Sequence, residues 1–514
     1  MAERYPTGAT LPCVIIEGGT IYTADPALPQ VRGLPIDDRG RVTRGVEAWE
    51  GDTSKVSNER IDLGGRTVVP GFVDAHLHFL SWALDRLRVD VRDAPTAAAA
   101  LELIAAQAAA DRAAGTDSTW LIAAGWTEAM LAEVTDPAAA LDAATGGRPA
   151  AFWARDRHAL WLSTAALAHV GGDAIRREDA AWATPLPAPT RAERQRAVAL
   201  GQQEAHRLGL TGIHDFERSG GRATWQELDL QERVTLRVAS ALPAEHLDAI
   251  EQLELVSGFG SEFVRIGAVK AFLDGTVGAR TAHMLEPYDD GGTGMELLST
   301  DALADVIRRA AAVGLPVAMH AIGDAAVRSA LDALEQTQAD WHDLATVHAR
   351  PPRIEHAQLV HPDDLARFGQ LGVVASMQPV HAGEDRAAAE AAWGTRCSGA
   401  YAWRRLLDAG ATLVFGTDAP ISPIDPIATL AAAVTAPLVP GQEVTVADAL
   451  TAMTTTPATI LGLARRQGRL SPGAFADLVV LDRDPFVTPV DELHAIEVVA
   501  TMVGGRWVHG RPPW

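Results

Sequence analysis

Two cysteines in 514 residues, Cys13 and Cys397, are too few and too far apart for a disulfide framework or a Cys-x-x-Cys metal site. They are expected to be buried free thiols. Basic residues are also in deficit, 44 against 66 acidic ones, for a net charge of −22. That balance argues against nucleic acid or an anionic membrane as a partner, since both bind through clustered Lys and Arg. No apolar run is long enough to span a bilayer. The opening Met1-Ala2-Glu3-Arg4-Tyr5-Pro6 lacks the basic start and apolar stretch of a signal peptide, so a cytoplasmic location is expected. What remains is an ordinary globular composition, 47% hydrophobic and 21% charged, in a chain long enough for a large core.

Against that background one segment stands out: Val68-Val69-Pro70-Gly71-Phe72-Val73-Asp74-Ala75-His76-Leu77-His78. It reads as an apolar strand ending in His-x-His. The two-residue period of a strand puts His76 and His78 on one side, which is half of a divalent-metal site. Three further metal-type residues each close an apolar run: His320 after Leu315-Pro316-Val317-Ala318-Met319, His356 in Arg353-Ile354-Glu355-His356, and Asp418 after Leu413-Val414-Phe415-Gly416-Thr417. A single strand-end His is usually structural; four ligand-bearing strand ends in one chain form a pattern. His342, His348, His361 and His381 lack strand-end placement and read as structural or surface residues.

The middle of the chain alternates strand and helix. Helix 302–313 follows the capping candidates Ser299, Thr300 and Asp301 and stops at Gly314. Strand 315–321 comes next. Strands are also expected at 68–78, 212–216, 236–240, 264–273, 353–358, 373–378 and 412–418, eight in all. Right-handed βαβ crossovers then give a parallel sheet, and eight strands close a (β/α)8 TIM-like barrel of the α/β class. In such a barrel functional residues lie at the C-terminal strand ends, where the four ligand-bearing ends fall. More than 130 residues separate the first two strands. This stretch, about 80–205, is expected to be an inserted cap with structure of its own, including a helix over 96–114 packed through Leu101, Leu103 and Ile104. Residues 1–66 and 466–514 are both β-rich and are expected to build one small composite β-sandwich, leaving 67–465 to the barrel.

On the fourth strand Lys270 is the lone charge in Val269-Lys270-Ala271-Phe272-Leu273-Asp274. Two readings stand. Its ammonium reaches solvent or pairs with Asp274, or its amine is carbamylated by carbon dioxide into an anionic oxygen ligand.

The strings Pro70-Gly71-Phe72-Val73-Asp74-Ala75-His76-Leu77-His78, Val269-Lys270-Ala271-Phe272-Leu273-Asp274-Gly275, His320-Ala321-Ile322-Gly323-Asp324, Arg353-Ile354-Glu355-His356, Ser376-Met377-Gln378-Pro379 and Gly416-Thr417-Asp418-Ala419-Pro420 together resemble the amidohydrolase superfamily. Within it the chain is similar to the YtcJ-like group, amidohydrolase family 3, which includes N-substituted formamide deformylases. The resemblance runs through nearly the whole chain, to Gly468-Arg469-Leu470-Ser471-Pro472-Gly473. One departure is Gly275-Thr276-Val277-Gly278-Ala279-Arg280, where relatives more often carry Gly-Ser-Leu-Gly-Ser-Arg.

Carried onto these positions, the resemblance implies a site of one or two divalent ions, with Zn²⁺ suiting the mixed nitrogen and oxygen donors. His76, His78 and Asp418 would hold the more buried ion. His320 and His356 would hold the second, and carbamylated Lys270 would bridge them. Metal-bound hydroxide would attack an amide-type, non-peptide C–N bond, with Asp418 as proton shuttle. Trp82, Trp126, Arg155, Asp156, His158, Asp274, Arg280 and Gln378 are the expected substrate-binding residues. The tryptophans serve equally well as core. The partner is a small amide-type molecule, and a homodimer is carried over from enzymes of this kind. A mononuclear-metal deaminase acting on an amino-heterocycle is the alternative; such sites use a Glu close to the fifth-strand His, and here Ala321-Ile322-Gly323-Asp324 follows instead. A non-catalytic scaffold would be expected to have lost ligands, and all six are present.

Overall fold

The computed structural model describes residues 13–43, 59–115, 120–154, 159–177, 179–289, 291–436 and 438–512. They divide into two compact units: Leu80–Gly201, and the described residues up to Phe79 together with those from Gln202 onward.

The larger unit holds eight parallel strands: β1 Phe72–Leu77, β2 Leu210–Asp215, β3 Arg237–Pro243, β4 Val264–Phe272, β5 Val317–Ala321, β6 Arg353–His356, β7 Val374–Met377 and β8 Thr412–Phe415. They pair in sequence order from β1 to β8. The ring closes just beyond the last strand. Asp418 donates its N–H to His76 O at 2.7 Å, and His78 donates to Ala419 O at 2.8 Å. Asp74 adds side-chain bonds across the same seam, accepting from the Thr417 hydroxyl at 2.6 Å and the Thr417 N–H at 3.1 Å. This approach requires Gly416, where a Cβ would lie 2.4 Å from His76 N. The expected TIM-like barrel is therefore present, with its eight strands in the expected order and each overlapping its expected segment.

The local signals explain the crossovers. Helix Thr300–Ala312 starts at Ser299, whose side chain accepts from Ala302 N–H, and it buries Leu303, Ala304, Ile307 and Ala310 along one face. The expected single strand 68–78 is split instead. Thr67–Pro70 belongs to a second sheet, and the chain changes sheets at Gly71, where a Cβ would fall 2.2 Å from the Thr211 side chain. A continuous apolar run hides such a break, since both halves are buried.

The second sheet has seven strands drawn from both ends of the chain. Gln30–Ile36, Val14–Tyr22, Thr67–Pro70, Leu478–Leu481, Val498–Val503 and Arg506–His509 lie in that order, with Glu59–Asp62 also paired to Val14–Tyr22. Ile16, Ile21, Leu63, Val68, Leu478 and Val480 form its core. Neither cysteine forms a disulfide, and both are half-buried rather than buried.

The smaller unit has a five-stranded sheet in the order Ile175–Arg177, Ala159–Leu162, Ala150–Ala154, Leu121–Trp126, Val89–Asp90. Its helix Ala97–Ala113 is capped by Thr96 and buries Ala97, Ala100, Ile104 and Ala108, one face of a helical period. Leu103, expected to pack, is exposed because it lies off that face.

Candidate metal centre

The C-terminal strand ends of the barrel bring most of the sequence-predicted ligands together. His76 and His78 close β1, Lys270 lies near the end of β4, and His320 and His356 close β5 and β6. Asp418 follows β8. His78 Nε2 lies 3.3 Å and His76 Nε2 3.5 Å from Asp418 Oδ1. The His76 and His356 rings are 4.9 Å apart and the His320 and His356 rings 4.6 Å. Both His356 and Asp418 adopt left-handed backbone, with φ of 72° and 54°, a conformation that costs a non-glycine residue energy and concentrates at functional sites.

Buried polar networks aim these side chains. His76 Nδ1 is 2.6 Å from Glu355 Oε2, which fixes Nε2 as the nitrogen facing Asp418. Glu355 is held in turn by Arg353, whose Nη2 donates to Glu355 Oε2 at 2.9 Å and to Ala75 O at 2.7 Å. Arg353 Nη1 lies 2.9 Å from His214 Nδ1. On the other side, His356 Nδ1 is 2.9 Å from Gln378 Oε1, leaving Nε2 toward the cluster. His320 Nε2 is 3.0 Å from Gly275 O.

The donors fit a cation. His76 Nε2 and Asp418 Oδ1 are buried without hydrogen-bond partners, a costly arrangement for polar atoms unless something coordinates them. Burial and the Lys270 charge hold the His76 imidazole down at about 4, and burial with the same charge holds His320 at about 3. Burial and the neighbouring imidazoles hold His356 well below its ordinary value. Neutral imidazoles are the form that binds metal. Burial would raise the Asp418 carboxyl, but His78, His76 and His356 hold it well below the usual range, so it is an anion. Among the described residues two three-residue groups have donor atoms within 4.8 Å of one another: His76, His78 and Asp418, and His356, His381 and Asp418.

Lys270 is 4% exposed and its Nζ has no hydrogen-bond partner. It lies 4.9 Å from the Phe216 ring centre and 5.0 Å from that of Phe272. Burial pulls its amine down to about 8. It does not reach solvent, nor does it pair with Asp274.

The expected substrate residues have separate settings. Asp274 is buried and accepts backbone N–H bonds from Ile322 at 3.1 Å, Gly323 at 2.8 Å and His283 at 2.9 Å, so it anchors the loop after β5. Gln378 is buried and orients His356. Arg280 is exposed, with φ of 53°. Trp126 lies in the core of the Leu80–Gly201 unit and donates its indole N–H to Phe152 O at 2.7 Å; Trp82 in the same unit carries Arg86 over its ring at 4.3 Å. Arg155, Asp156 and His158 lie outside the described residues.

Sequence reasoning missed Glu355, Arg353, His214 and His381. Arg353 and Glu355 gave a usable signal: two opposite charges two residues apart point to one side of a strand that is otherwise buried.

A barrel with imidazoles and a carboxylate clustered at its C-terminal face is the arrangement of a metal-dependent hydrolase. The chain belongs to the amidohydrolase family, whose profile matches residues 59–509. YtcJ of Bacillus subtilis (strain 168) is 28% identical over 541 residues, covering 96% of this chain and 99% of that protein. The N-substituted formamide deformylase of Arthrobacter pascens is 26% identical over 500 residues, covering 87% and 89%. The crystal structure of a metal-dependent hydrolase from Pyrococcus furiosus superposes with a TM-score of 0.78 at 30% identity, covering 92% of this chain and all of that one. The protein is thus a hydrolase of C–N bonds that uses a divalent metal. No helix among the described residues is long and apolar enough to cross a membrane.

Proposed function

We infer that this enzyme hydrolyses the amide bond of a small N-substituted amide, using Zn²⁺ held at the C-terminal end of the barrel. The supporting observation is the shared carboxylate: Asp418 belongs to both donor groups and presents an unpartnered oxygen between them. His76 and His78 with Asp418 would hold one ion. His320, His356 and a carbamylated Lys270 would contribute to the other.

The bound metal supplies a water acidified toward neutral pH and polarisation of the substrate carbonyl. The remaining work falls to the protein. Asp418, held as an anion, accepts the proton that water loses as its oxygen bonds to the carbonyl carbon. It then delivers that proton to the amide nitrogen as the C–N bond breaks, so water and amide yield a carboxylic acid and an amine. Glu355 keeps the His76 proton on Nδ1 throughout.

Lys270 suits carbamylation because its partnerless nitrogen is largely desolvated, and the neutral amine is the form whose lone pair attacks carbon dioxide. Asp324 bears on the deaminase alternative. Its Oδ1 accepts the Leu285 N–H at 2.9 Å, and the residue opens helix Asp324–Gln336, so it is engaged in structure rather than free to serve as the missing Glu.

The test is an assay of N-substituted formamides and other small amides on enzyme purified without chelator, alongside Lys270→Ala. Formate or another acid should appear with the amine, activity should vanish on chelation and return with Zn²⁺, and metal content should fall sharply in Lys270→Ala. Release of ammonia from amino-heterocycles, with no amide turned over, would establish the deaminase instead. A cytoplasmic location and a homodimer complete the reading and are open to fractionation and light scattering.

A further inference from the structure

His381 sits outside every strand, yet it is 4% exposed and its Nε2 is a buried nitrogen with no hydrogen-bond partner. Beyond β7 the chain turns at Pro379-Val380, with His381 N–H donating to Gln378 O at 3.1 Å and Asp385 N–H to His381 O at 2.7 Å. The first of these bonds ties the backbone of His381 to the residue that orients His356. The turn returns the imidazole to the barrel mouth, where a donor nitrogen lies within 4.8 Å of donor atoms of both His356 and Asp418. His320 belongs to no such group, and its Nε2 is occupied by Gly275 O.

We propose that His381 is a further protein ligand of the second metal ion, beside His356 and Asp418. Three donors converge there, two imidazole nitrogens and one carboxylate oxygen, a mixed set that suits Zn²⁺. An orphan buried imidazole nitrogen is costly in a protein interior, and coordination removes that cost. Because Asp418 is common to both groups, its carboxylate would be available to both positions. His381 therefore adds a seventh residue to the six the sequence pattern supplies. The inference rests on the metal-dependent reading above and narrows which side chains complete the second position.

The test is a titration of chelator-stripped protein with Co²⁺, following visible absorption and bound metal per chain, for the wild type, His381→Ala and His381→Gln. Near-ultraviolet circular dichroism confirms that each variant is folded, and the Gln variant retains bulk and polarity should the Ala variant collapse. The wild type should bind two ions per chain. Both variants should keep the first and bind the second more weakly by at least the ~10–100-fold that loss of a supporting contact to a metal ligand produces. The absorption from the second Co²⁺ should change shape as a nitrogen donor is lost. Variants with wild-type stoichiometry, affinity and spectrum overturn the assignment, whatever their turnover. A wild type that binds a single ion, untouched by either substitution, overturns it while leaving the metal-dependent reading intact. A wild type that binds none overturns that reading itself.

Discussion

Glu355 Oε2 lies 2.6 Å from His76 Nδ1, and the buried pair links β6 to β1, three strands apart around the closed barrel. The carboxylate keeps the His76 proton on Nδ1 and points Nε2 at Asp418. Arg353 compensates its charge, so the pair is a supported orienting device rather than an isolated buried anion. Glu355→Gln keeps the volume and removes the charge. We expect metal affinity to fall by ~10–100-fold, read by competition with a chromophoric chelator, while the folded state persists. Unchanged affinity would make Glu355 a packing residue.

Asp418 offers a second handle. Its carboxyl is held anionic by His78, His76 and His356, and its Oδ1 is partnerless. Asp418→Asn should lower turnover by at least about 10²-fold even with Zn²⁺ in excess, because the amide cannot carry a proton from water to the leaving nitrogen. Saturating metal separates this loss from weakened binding. A turnover within a few-fold of wild type would remove Asp418 from proton transfer.

The barrel and the histidines on its strands were legible in sequence for a physical reason. A strand has a fixed side-chain period, and a TIM-like barrel puts chemistry at strand ends, so His76, His78, His320 and His356 could be placed without coordinates. His381 could not, because it reaches the cluster through the turn after Met377, and turns carry no periodicity. The break at Gly71 was hidden because both halves of 68–78 are buried and equally apolar; what distinguishes them is the Thr211 side chain, which is remote in sequence. Glu355 was visible as a residue but not as a partner of His76, since that contact spans 279 positions. Asp274 and Gln378 lie at strand ends, as expected, but their bonding partners could be seen only in three dimensions.

Acid sensitivity away from the metal centre should trace in part to His206. Its ring is buried between Leu210 O at 2.9 Å and the Thr235 hydroxyl at 2.8 Å, and burial holds it down at about 4. The unfolded chain binds that proton near pH 6.5. The stabilising contribution is therefore complete above pH 6.5 and is lost as pH falls from there toward 4. The full loss is ~3 kcal/mol, from about 2.5 pH units at 1.36 kcal/mol each. His206→Gln should flatten the decline in unfolding free energy over that window by up to one proton's worth of slope. Identical slopes for the two proteins would place the acid-labile group elsewhere.

Arg237 and Asp477 join the start of β3 to the terminal sheet within the larger unit. Arg237 Nε donates to Asp477 Oδ2 at 2.6 Å and Nη2 to Oδ1 at 3.0 Å, and the guanidinium lies 3.4 Å from the Phe475 ring centre. Asp477 also accepts the Gly504 N–H at 2.8 Å. Both side chains are buried, so Asp477→Ala leaves an unpaired cation inside and should cost ~3–5 kcal/mol of stability. The pair lies at the N-terminal end of the barrel, opposite the metal cluster, where side chains serve stability rather than chemistry. Thermal melts should therefore shift strongly, while kcat/KM of the folded protein at low temperature should stay near wild type. Replacing both partners, Arg237→Met with Asp477→Leu, should recover part of the loss, because no charge is then left buried alone. If Asp477→Ala instead removed activity at temperatures where the protein remains folded, the terminal sheet would have to influence the catalytic face of the barrel directly.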